Sequence, residues 1–85
     1  MARVDLEPAE EFEVVDAVTE VADRELVDMC VASLGAGVAA ELRDEGLPPV
    51  RVVVRWVLAH AVDSNEYVYR EAGRRAVRAA AQHLA

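Results

Sequence analysis

The chain contains no lysine and no isoleucine; Arg, Val and Ala take their places. It has one cysteine, Cys30, which excludes an internal disulfide and fits a reducing cytoplasm. Aromatic residues are only 5% of the sequence. The longest uncharged run, Met29 to Ala40, spans residues 29–40 and is too short to cross a bilayer. The first residues, MARVDLEPAEEFE, contain no apolar stretch of the kind a secretory leader needs. No glycine-rich phosphate loop is present: LGAG at Leu34 to Gly37 matches no nucleotide-binding fingerprint. His60, His83 and Cys30 have no metal-ligand spacing among them, since no Glu-x-x-His or His-x-x-x-His pair exists. His60 reads as a packed residue, and His83 as a ring near a helix C-terminus. Cys30 lies on an apolar ridge, where a free thiol behaves as a small hydrophobe and has no base to activate it. The expectation is a chain without catalytic residues, bound cofactor or metal.

What is present is apolar surface. In 85 residues, 54% are hydrophobic and 29% charged. This is one domain at most, and a chain of this size buries a modest share of its surface. The apolar excess points to a partner subunit. The net charge of −7 is split unevenly. Residues 1–45 carry thirteen acids and three arginines, and residues 46–85 carry three acids and six arginines. Opposite charges on the two halves suit an interface between copies. The overall acidity disfavours general nucleic-acid binding, which phosphate neutralisation drives.

Periodicity predicts helices. After an arm over 1–8, Val14, Val15, Val18, Val21 and Ala22 share one helical face over 9–22, with Glu13, Asp16, Glu20 and Asp23 opposite. The valines leave a strand over 12–21 as an alternative. Asp23 caps a second helix over 24–45, on which Leu26, Cys30, Leu34, Val38 and Leu42 step by four. Gly35 and Gly37 either break that helix or let another backbone approach. Gly46 ends it, and Pro48-Pro49 precede a third helix over 50–62; a strand over 50–58 stays open because Val50, Val52 and Val54 also alternate. A capping box at Asp63 to Glu66 starts a fourth helix over 65–83. On it Arg70, Arg74, Arg75 and Arg78 form a polar arc, with Glu66–Arg70 and Glu71–Arg75 at ion-pair spacing. The expected fold is therefore all-α: a four-helix, bundle-like single domain that self-associates.

The expected function is a non-catalytic protein–protein interaction or assembly protein. Its contact residues are Arg70, Arg74, Arg75 and Arg78 on the basic side and Glu13, Asp16 and Glu20 on the acidic side. The alternative is a small DNA-binding regulator. AAELRDEGLPPVRVVVRWV has the outline of a helix-turn-helix whose second helix would present Arg51 and Arg55 to base edges. The stretch LPPVRVVVRWVLAHAVDSNEYVYREAG also resembles a segment of the small head–tail adaptor proteins of tailed phages: a Pro-started apolar helix, then a turn containing Asn65. That resemblance implies a helical, ring-forming protein that binds its own copies and a structural partner, located in a virion rather than the cytoplasm.

Overall fold

The computed structural model describes residues 2–19, 23–57 and 65–84, without the side chains of 82–84. The order of elements is β1 (Ala2–Pro8), β2 (Glu13–Asp16), α1 (Arg24–Glu45), β3 (Val50–Val57) and α2 (Glu66–Leu84). The strands form one mixed sheet in the order β1-β3-β2. β1 runs antiparallel to β3 and β2 runs parallel to it. Ala9 to Phe12 carries the chain past the start of β3, and the Ala9 N–H donates to the Pro49 carbonyl. α1 is the crossover that a parallel β2–β3 pair requires. The fold is α+β, so the all-α four-helix bundle expected from the sequence is wrong.

Two of the expected helices are replaced. Residues 13–16, inside the predicted 9–22 helix, are strand β2, and the arm over 1–8 is strand β1. The 3.6-residue pattern there rested on Val14 and Val15, which in the strand point to opposite faces. The predicted 50–62 helix is strand β3 over Val50–Val57; the rest of it, including His60, lies outside the described residues. The physical reason is β-branching. Five valines in eight positions lose side-chain freedom in a helix and pack well on a pleated surface. β3 is the central strand, so Val53 on its second face is also buried, at 6% exposure. That filled in the alternation and gave the segment the look of a buried helix.

The helices are set by their ends. Asp23 accepts the Leu26 N–H at 3.0 Å and caps α1. Gly46 closes it in the left-handed region, at φ 64°, where an L side chain is strained. The Leu47 N–H then reaches back to the Leu42 carbonyl at 2.9 Å. At the start of α2, Asn65 accepts the Val68 N–H at 2.9 Å. Asn65 therefore caps α2; Asp63, which opens the predicted box, lies outside the described residues.

Both helices lie on one face of the sheet. The core joins Val27, Cys30, Val31, Leu34, Val38 and Leu42 of α1, Val50, Val52 and Val54 of β3, and Tyr69 and Val77 of α2. Each fully buried aliphatic side chain contributes roughly 1.5–3 kcal/mol against exposure. The two glycines of LGAG do not break α1. A Cβ on Gly37 would overlap the Arg70 carbonyl of α2, and a Cβ on Gly73 would overlap the Leu34 carbonyl of α1. The helices cross with each glycine against the other's backbone. Gly35 does a related job beneath the sheet, where an added Cβ would stand 2.7 Å from Val14 Cγ2.

Candidate interaction surface

Strand alternation sorts the sheet into an inner and an outer face. Ala2, Val4 and Leu6 of β1 and Val50, Val52 and Val54 of β3 face the helices. The outer face carries Arg3, Asp5 and Glu7 from β1, Glu13 and Val15 from β2, and Arg51, Val53 and Arg55 from β3. The register slips between Arg3 and Val4: Val4 opposes Val54 while Arg3 opposes Trp56. Arg55 is the extra residue of this bulge, and it resets the alternation. Trp56 consequently joins the outer face and is 44% exposed, while Val57 returns to the core side. No described element covers this outer face.

Its charges form a ladder. Glu7 and Glu13 both oppose Arg51 in register, one from each neighbouring strand. The Arg51 guanidinium donates to Glu13 and, at 3.4 Å, to Glu7. These hydrogen bonds, Glu13's foremost, raise the Arg51 pKa above its usual value. Arg55 Nε donates to Asp5 Oδ2 at 2.8 Å. Arg51 and Arg55 are thus exposed but paired with acids of their own chain. They sit on a strand, which removes the recognition helix from the DNA-binding alternative. The same strand replaces the Pro-started helix on which the likeness to phage adaptors leaned.

The predicted contact residues fall into separate places. Arg74 Nη1 donates to Glu41 at 2.9 Å and to Asp44 at 3.0 Å. Arg78 reaches Glu41 from Nε at 3.2 Å and Nη2 at 3.3 Å. Both therefore join α2 to α1. Arg70 and Arg75 are exposed, with no carboxylate at ion-pair distance among the described residues. The expected Glu71–Arg75 pair is not made; Glu71 accepts from Arg78 at 3.5 Å instead. Glu13 belongs to the outer ladder, Asp16 pairs with Arg24, and Glu20 lies outside the described residues. Among the described residues the basic and acidic sets do not meet.

Sequence reasoning missed Glu41. It is 6% exposed, and the hydrogen bonds from Arg78 and then Arg74 hold its pKa below the ordinary value against the effect of burial. The signal was available: Glu41 lies four residues after Gly37 and so shares the α1 face that meets α2. Its chemistry is structural, since an acid held as a carboxylate between two guanidinium groups is a poor proton donor. Among the described residues no three His, Cys, Asp or Glu side chains converge to hold a metal, and no helix is long and apolar enough to cross a membrane.

One further feature lies beside the ladder. An open groove of about 580 Å³ runs between β1 and α2, lined by Val4, Asp5, Leu6, Pro8, Ala76, Ala79 and Ala80. β1 has no strand neighbour on this side among the described residues. No protein family, curated protein or solved structure matches the chain.

Proposed function

We propose that this chain is a non-catalytic protein–protein interaction module that self-associates through the open side of its sheet. The observation that carries this reading is the sheet itself: helices cover one face, and the other leaves Trp56 and Val15 exposed at 44% and 37%. Exposed aromatic and branched side chains bordered by charge are the composition of an interface rather than of an inert surface. Among the described residues the sheet is open on one face and at its edges, and a sheet that small gains by being covered.

The charge asymmetry of the two halves supports this reading less than the sequence suggests. Much of it is cancelled inside the chain, where Arg51 meets Glu7 and Glu13, Arg55 meets Asp5, and Arg74 and Arg78 meet Glu41. What is left to drive association is apolar surface and unpaired backbone. Sedimentation equilibrium tests it directly. The expected result is a mass that rises with concentration to that of a closed oligomer. A monomer at high micromolar concentration overturns the reading.

A further inference from the structure

We infer that the partner at the β1 edge is a second copy of β1, paired antiparallel about a two-fold axis through Val4. This rests on the proposed self-association and places a joint at the sheet's β1 edge, beside the outer face that carries Trp56 and Val15.

The backbone argument comes first. Ala9 turns its N–H toward β3, where it donates to Pro49. Peptide groups alternate sides along a strand, so Glu7 and Asp5 also face β3. Ala2, Val4, Leu6 and Pro8 therefore turn theirs toward the open edge. Pro8 fits that placement, because a proline is tolerated where its missing N–H would have pointed out of the sheet. The N–H and C=O groups of Ala2, Val4 and Leu6 form a row with no strand opposite them among the described residues. Such a row is a template for another strand.

Charge then selects occupant and register. With Val4 opposite Val4 of the second copy, Ala2 meets Leu6 and Arg3 meets Asp5, each pair occurring twice by symmetry. Arg3 is exposed and has no ion-pair partner among the described residues. Asp5 already accepts from Arg55, so the contact would extend that pair into an Arg55–Asp5–Arg3 line across the joint. The next register that keeps the outward-facing groups opposed sets Arg3 against Glu7, which already accepts from Arg51, and puts Asp5 against Asp5 on the axis, where like charges directly opposite are destabilising. Centred on Val4, the pairing opposes no like charges. The groove receives the inward side chains: a strand added at this edge would lay them over Ala76, Ala79 and Ala80, whose small size leaves the room.

The test uses the full chain and two variants. Arg3→Glu reverses both cross-strand charge pairs while touching no ion pair among the described residues, and is expected to weaken dimerisation roughly tenfold by sedimentation equilibrium. Val4→Cys places two thiols across the axis at about 5.5 Å between Cα atoms, within disulfide reach, and should give a covalent dimer under oxidised glutathione. Cys30, buried at 0% exposure, leaves the parent chain as the uncrosslinked control. If the parent dimerises, Arg3→Glu dimerises equally well and Val4→Cys stays monomeric on reducing-free gels, the β1 joint is overturned and self-association through another surface stands. Crosslinking through Asp5→Cys in place of Val4→Cys overturns the register. A parent chain that stays monomeric at high micromolar concentration overturns both the joint and the proposed function.

Discussion

Arg74 and Arg78, besides their more exposed pairs with Asp44 and Glu71, share Glu41, a carboxylate whose side chain is 8% exposed; Arg51 and Arg55 pair only with carboxylates that stay 41–48% exposed among the described residues. The two sides of the molecule use the same residue types under different solvent conditions. On the helix side, Glu41 stands behind a crossing already fixed by Gly37 and Gly73, and water screens it poorly. On the outer side, the Glu7–Arg51–Glu13 and Asp5–Arg55 pairs lie open to water and ions. Exposed pairs of that kind add little stability. Stability therefore rests more on the helix side than on the outer ladder.

The crossing is where that assignment breaks most sharply. Gly37→Ala or Gly73→Ala would drive a methyl into a backbone carbonyl, which no side-chain rotation relieves. Ala is the better helix former, so propensity alone predicts a gain of about 1 kcal/mol. The expected result is the opposite: a net loss on the order of 3 kcal/mol in a urea titration, as the helices are forced apart. A gain in either variant would mean that the helices do not meet at this distance.

Protonation sharpens the contrast next. Glu41 has a folded pKa below its ordinary value, set mainly by hydrogen bonds from Arg78 and Arg74. Its contribution is therefore complete above the ordinary carboxylate range. It is lost as pH falls through that range toward the depressed value, because the unfolded chain then takes up a proton that the folded chain refuses. Melting curves from about pH 7 to about pH 3 should fall in the parent, and Glu41→Gln should flatten part of that fall while lowering the neutral-pH midpoint. Glu7→Gln, on the outer side, should lower the neutral-pH midpoint less than Glu41→Gln does, because its pair with Arg51 is exposed. An equal loss of midpoint in both variants would erase the distinction between the two sides.

Legibility in the sequence followed the same division. α1 could be read because its signals are local: Asp23 and Gly46 mark its ends and the four-residue step marks its buried ridge. The glycine notch was visible as an alternative, since a period that continues through LGAG argues against a break. The strands were harder. Val14 and Val15 satisfy a helical face and a strand equally, and β2 is only four residues long, too short for a period to decide. β3 misled because it is buried on both sides of its centre, which leaves only Arg51 and Arg55 to show an alternation. What identified it was β-branching, a weaker guide than period. The acids that pair with Arg51 and Arg55 could not be found from spacing, since they arrive from two other strands 38 to 50 positions away.

The smallest effect expected is at Arg55. Its pair with Asp5 is well formed, yet both side chains stay more than two-fifths exposed. An exposed pair gains little Coulomb energy and orders two flexible side chains, so Arg55→Gln should shift Tm by about 2 °C or less. Raising salt from low to about 0.5 M should close even that gap, because screening acts within a few ångströms of such a surface. The crossing variants should stay destabilised under the same salt, since steric overlap is indifferent to ions. Arg55 also sits at the bulge that turns Trp56 outward, and Gln keeps a side chain able to occupy that position. A loss at Arg55 as large as that at Gly73 would mean that the bulge, and with it the exposed Trp56, depends on the ion pair, and the outer face would then be part of the fold's stability rather than a surface held in reserve for a partner.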